Sequence, residues 1–123
     1  MGDSILTSIK KLLGITEEYK HFDADIIIHI NSVFMILKQL GVGPPDGFSI
    51  SDETPVWRDF IDNSSDIESV KSSVYLKVKL LFDPPLSSAA MEATKQLISE
   101  LEWRLTLAAE SNNTSGEEVS QNE

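Results

Sequence analysis

Apolar residues along the chain fall into segments whose spacing predicts helices. In "DSILTSIKKLLG", Ile5, Leu6, Ile9, Leu12 and Leu13 share one helical face, with Asp3 placed as N-cap and Gly14 as a stop. A second helix starts at Asp23, which is positioned to cap it, and ends at Gly41 and Gly43-Pro44-Pro45. Thr54 and Pro55 read as the N-cap and first turn of a short helix carrying Val56, Trp57, Phe60 and Ile61. The segment "SDIESVKSSVYLKVKLLFDPP" has two readings. Leu76, Val78 and Leu80 alternate with Lys77 and Lys79 as a half-buried strand would. Against this, Ser65 and Glu68 suit a capping box, Ile67, Val70, Val74, Val78 and Leu81 keep helical spacing, and the run is too long for an ordinary strand. A helix is predicted, ended by Asp83-Pro84-Pro85.

The last helix starts at Ser87 or Ser88 and runs through "AAMEATKQLISELEWRLTLAAE", which is rich in helix formers. Residues 111–123 are polar and acidic, bury almost nothing and are expected to be disordered. Between Pro44 and Thr54, Asp46-Gly47 favours a tight turn, and Phe48 and Ile50 point the same way if extended, as in a short strand or hairpin arm. The expected architecture is all-α: a bundle of about five helices over residues 1–110, an extended or β-hairpin loop near 44–54, and a tail over 111–123. There are no internal repeats.

Two helices carry apolar residues on more than one side. At about 100° per residue, Ile26, Ile30, Val33, Phe34, Leu37 and Leu40 form one broad stripe. Ile28 and Met35 lie nearly opposite it, with Ile36 between. A membrane span would bury all of them, but the run is shorter than the roughly 20 residues required and contains His29, Asn31 and Ser32. That leaves a helix central to its own bundle, or one covered by a partner. In the last helix Met91, Leu97, Ile98, Leu101, Leu105 and Ala108 share a face suited to the core, whereas Trp103 and Leu107 project about half a turn away. Trp and Arg are enriched at binding hot spots, and Arg104 sits between those two. The competing explanation is that Phe48 to Ile50 folds over Trp103 within the chain.

Composition then removes most chemistries. The absence of cysteine excludes disulfides, thiolate catalysis and zinc ribbons. A formal net charge of −10 argues against gripping nucleic acid, which needs clustered Lys and Arg. The histidines are His21 and His29; Asp25 and His29 lie one turn apart, but two ligands make an incomplete metal site. Glu17-Glu18 and the Glu100, Glu102 pair read as solvated charge, and neither a phosphate loop nor a nucleophile elbow is present. No cofactor is expected. Lys10 and Lys11 follow the first apolar residues, so no signal peptide is seen, and Leu6 spoils a myristoylation signal. The expectation is cytoplasmic synthesis, with the sequons at Asn63 and Asn113 chance matches.

The ordered set "INSVF", "QLGVGPP", "WRDFI", "YLKVKLLFDPP" and "ELEWRL" resembles the small head-tail connector (adaptor) proteins of tailed bacteriophages, over roughly residues 3 to 109. The resemblance implies a non-enzymatic helical subunit of a ring, twelve-fold in virions, beneath the portal at the neck of the particle. Such a ring extends the DNA channel, offers a platform for the next neck protein and lets DNA pass without sequence-specific binding. Carried over by motif, portal docking falls on Glu102, Trp103, Arg104 and Leu105, with Leu107. Contacts between ring subunits fall on the second helix, at Ile28, Met35 and Ile36, and on the Phe82-Asp83 corner. The alternative from a different class is an acidic helical regulator or inhibitor that binds a basic protein, which would require acidic side chains at phosphate-like spacing on one face.

Overall fold

The computed structural model describes the backbone of residues 4–62 and 64–121 and the side chains of residues 4–62 and 66–110. Five helices follow in order: α1 (Ile5–Leu12), α2 (Asp23–Gln39), α3 (Trp57–Phe60), α4 (Ser64–Phe82) and α5 (Ser88–Gln121). The segment with two readings is helix α4. Among the described residues there is no strand, only an isolated antiparallel bridge between Ser4 and Val56.

Helix α1 is capped by Ser4, whose hydroxyl accepts from the Thr7 N–H at 3.2 Å, and Asp3, the expected cap, lies outside the described residues. Gly14 ends the helix at φ +83, a conformation a Cβ would strain. The link to α2 is held by a buried lysine. Lys10 Nζ donates to the carbonyls of Glu17 (3.0 Å) and Tyr19 (2.7 Å) and pairs with the Asp23 carboxylate at 2.8 Å. Asp23 therefore does not cap α2 as expected. Phe22 occupies the N-cap position without a side-chain hydrogen bond, because the Asp23 carboxylate is turned to Lys10.

The start of α3 departs from expectation in the same way. The cap position belongs to Val56, whose N–H donates to the Asp59 carboxylate at 2.9 Å. Thr54 and Pro55 stay outside the helix: the Thr54 N–H donates to Asp52 (2.8 Å), and the Pro55 carbonyl accepts from Ile5 at 3.0 Å. Extended pairing with the start of α1 takes up the backbone that a longer α3 would have used.

No hairpin forms over residues 44–54. The segment turns at Pro44 to Gly47, where the Gly47 N–H donates to the Pro44 carbonyl (3.0 Å), and then passes α2, where the Asn31 side-chain amide both donates to the Ile50 carbonyl (2.9 Å) and accepts from its N–H (2.8 Å). A side chain thus satisfies the polar groups that a second strand would otherwise bond. Phe48 and Ile50 do point the same way, into the core: Ile50 is buried and Phe48 sits edge-on to Phe34 and Phe60. Close by, Gly43 has φ +91, and a Cβ there would lie 2.5 Å from the Phe60 ring.

Helix α4 is the centre of the molecule. It packs against α2 on one flank and α5 on the other, while α1 and α3 lean on it from a third side. Val70, Val74 and Val78 are wholly buried, and they meet Ile26, Ile30, Phe34 and Leu37 of α2 and Leu105 of α5. The side chain of Ser65, expected to cap α4, lies outside the described residues. At the start of α5, Ser87 caps through its hydroxyl, which accepts from Ala90 at 3.0 Å. The backbone of α5 continues past Glu110 to Gln121; the side chains of 111–121 and all of 122–123, where the polar tail was expected, lie outside the description.

Candidate interaction surfaces

On α2 the broad stripe faces inward: Ile26, Ile30, Val33, Phe34 and Leu37 are each at most 1% exposed. Ile28 (61%) and Met35 (63%) stand on the outer side in water, and Ile36 (39%) lies between the two faces. The bundle therefore does not enclose α2 on all sides.

On α5, Ile98 and Leu105 are buried against α4, and the opposite side presents Trp103 at 62% and Leu107 at 43% exposure. The Phe48 to Ile50 segment packs on Phe34 and Phe60, so it does not cover Trp103. Arg104, exposed beside Trp103, pairs with Glu100 one turn earlier at 2.7 Å. Glu102 turns inward and pairs with Lys77 of α4, which holds this turn of α5 in place. Leu105, grouped with the docking turn by its motif, is only 3% exposed: it repeats Ile98 two turns on and belongs to the core. Of the five residues assigned to docking, Trp103, Arg104 and Leu107 form the outward surface.

The Phe82-Asp83 corner is mixed. Phe82 is half-buried, edge-on to Phe22 at 5.2 Å, whereas Asp83 is exposed and sits 3.5 Å from Lys79. Phe22 also meets the rings of Tyr19 and His21, so His21 belongs to an aromatic cluster at this end of the bundle. Among the described residues no three His, Asp or Glu side chains converge as a metal site, so Asp25 and His29 gain no third ligand.

Three exposures were not legible in the helical pattern, the first being Leu12, which shares the apolar face of α1 by spacing yet is 47% exposed. Leu97, expected in the core, is 45% exposed, and Leu81, expected to continue the inward face of α4, is 56% exposed. Leu81 lines a groove of about 450 Å³ that lies over α4 between α2 and α5. Val33, Ile36, Leu80 and Ile98 make it largely apolar, and the Lys77–Glu102 pair crosses its wall. Part of the surface signal was present in the sequence as Leu80, which sits off the Val70, Val74, Val78 line, whereas Leu81 lies on that line and its exposure carries no such signal. A groove needs three helices, however, and no single helical wheel shows one.

Among the described residues these surfaces hold exposed apolar side chains and ion pairs. They suit binding and define a class: an all-α protein that leaves large apolar side chains exposed outside its own core. A family model for phage connector proteins matches residues 5–112. The chain belongs to the phage head-tail connector family, a structural family whose membership implies contact with other phage head and tail proteins. No curated protein and no solved structure gave a match. Among the described residues, no helix is long and apolar enough to cross a membrane.

Proposed function

We propose that the chain is an adaptor subunit of the neck of the phage particle. Copies assemble into a ring, twelve-fold in the virion, which docks under the portal, prolongs the DNA channel and receives the next neck protein. The subunit performs no catalysis. The observation that carries this reading is the pair of apolar faces left in water on a well-packed chain: Ile28 and Met35 on α2, Trp103 and Leu107 on α5. A closed ring needs two different patches on every subunit besides any contact to a third protein. Ile28, Met35 and Ile36, with the Asp83 corner, would meet neighbouring subunits. Trp103, Arg104 and Leu107 would meet the portal, positioned from behind by Glu102 and Leu105. The net charge of −10 supports passage of DNA through the ring, because a like-charged wall does not hold the duplex.

Light scattering on the full chain, alone at high concentration and mixed with the cognate portal protein, tests the proposal. Ring-sized particles or a stable portal complex are expected. A strict monomer without portal contact under both conditions would overturn it. An acidic regulator would instead remain monomeric and bind a basic partner with an affinity that falls steeply with salt.

A further inference from the structure

The groove over α4 is the place a fourth helix would fill. Three helices that pack side by side expose two faces; here α1, α3 and the 44–54 segment cover one, through Phe34, Trp57 and Phe60. The other face stays open between α2 and α5. Ile36 lines it, two residues and so about 200° around α2 from Phe34. Its floor and walls are Val33 and Ile36, Leu80 and Leu81, and Ile98, with Lys77 and Glu102 in an ion pair and Lys95 the remaining charged residue of the lining.

The outer side of α2 supplies a matching ridge. Ala24, Ile28, Ser32, Met35 and Gln39 follow one another at spacings of four, four, three and four, so they share one helical strip. All five are exposed and none is charged. Ridge and groove cannot meet within one chain, because α2 carries both: Ser32 and Ile36 form the lip of the groove, while Met35 points about 100° away from Ile36. Charge narrows the choice of occupant. Two copies at −10 each repel one another, so self-association requires a contact that brings no further like charges together. The uncharged ridge and a groove whose Lys77 is already neutralised by Glu102 satisfy that requirement.

We infer that the groove between α2, α4 and α5 receives the Ile28–Met35 ridge of α2 from a second copy of the chain. The contact is head-to-tail, so each α2 lies in a neighbour's groove while forming one wall of its own. This rests on the reading of the protein as a ring subunit and deepens it by naming the surfaces that meet. It also accounts for a helix that is apolar on more than one side: one face serves the core, one flank the groove, and the outer strip the next subunit. The α5 surface at Trp103 remains free for a different protein.

The native chain has no cysteine, which permits a clean test by cross-linking. Met35→Cys and Leu81→Cys are made as separate full-length variants, both at exposed positions, and intact folding is checked by thermal melting. They are mixed in equal amounts at high concentration, with and without the cognate portal, and oxidised. The expected product is a disulfide-linked heterodimer, formed at least tenfold faster than when Ser72→Cys, exposed elsewhere on α4, replaces Leu81→Cys. The double variant should give a ladder ending in a closed ring. Faster linking of Met35→Cys to itself would mean a symmetric contact and would overturn the head-to-tail proposal. Assembly by light scattering without Met35-to-Leu81 linking would overturn the groove while leaving the connector reading intact. Failure to assemble under any of these conditions would sink both.

Discussion

Truncating Trp103 separates a docking residue from a structural one. A tryptophan side chain has roughly 200 Å² to bury. With 62% of Trp103 in water, about 120 Å² is left for a partner, which at about 25 cal/mol per Å² corresponds to about 3 kcal/mol of docking energy. The remaining 80 Å² or so already touches the chain. It contributes at most about 2 kcal/mol to folding, reduced by up to about 40% for a compact denatured state and by a further ~0.5 kcal/mol because Ala is the better helix former. Trp103→Ala should therefore cost the isolated subunit about 1 kcal/mol while weakening portal binding more than a hundredfold. Leu105→Ala, two residues on, should do the reverse: Leu105 is 3% exposed, and emptying its site should cost about 2–5 kcal/mol of folding stability. Urea unfolding of each isolated variant and titration calorimetry against the portal read the two quantities separately. A loss above about 3 kcal/mol in the folding of Trp103→Ala, or unchanged portal affinity, would refute the assignment of Trp103 to an outward contact.

The other expectations concern the framework that presents these surfaces. Asn31→Ala removes both hydrogen bonds to Ile50 and should destabilise the subunit by about 2–4 kcal/mol, with hydrogen exchange accelerated at the Ile50 amide. Gly43→Ala should cost about 3 kcal/mol in thermal or urea unfolding, because its φ of +91 disfavours a side chain and the new methyl would strike the Phe60 ring. Lys10→Met leaves the Asp23 carboxylate and two carbonyls without their donor and should cost about 2–4 kcal/mol; adding Asp23→Leu should recover part of it, measured by a double-mutant cycle.

Helical periodicity is a local property, so α1, α2 and α5 were legible from residue spacing, and α4 from spacing together with its length and cap signal, as were the stops at Gly14 and Gly41. The misread positions are those whose polar groups answer to distant partners. Asp23 is drawn from its helix start by Lys10, Thr54 and Pro55 are held by Asp52 and the start of α1, and of the two forms open to residues 44–54 the hairpin is absent because Asn31 reaches to Ile50. Apart from the local Thr54–Asp52 bond, each competing bond links residues that no short window contains together.

The candidate surfaces divide along the same line. Opposed angles on a helical wheel suffice to place Ile28 and Met35 away from Ile30 and Leu37, and Trp103 and Leu107 away from Ile98. A wheel does not say how wide the covered arc is. Helix α5 packs chiefly on α4, so its buried arc is narrow, and Leu97 falls outside it despite sitting on the apolar side. Leu105 was joined to Trp103 by adjacency in a motif, but its side chain follows the helical repeat into the core.

From the order of residues alone came the all-α class, the apolar excess on α2 and α5, and the exclusion of thiol chemistry, because spacing and composition act through neighbours a turn apart. Tertiary structure alone decided which apolar residues stay wet and that an open groove separates α2 from α5. Burial depends on which helices lie side by side, and that arrangement is set by contacts between residues far apart in the chain.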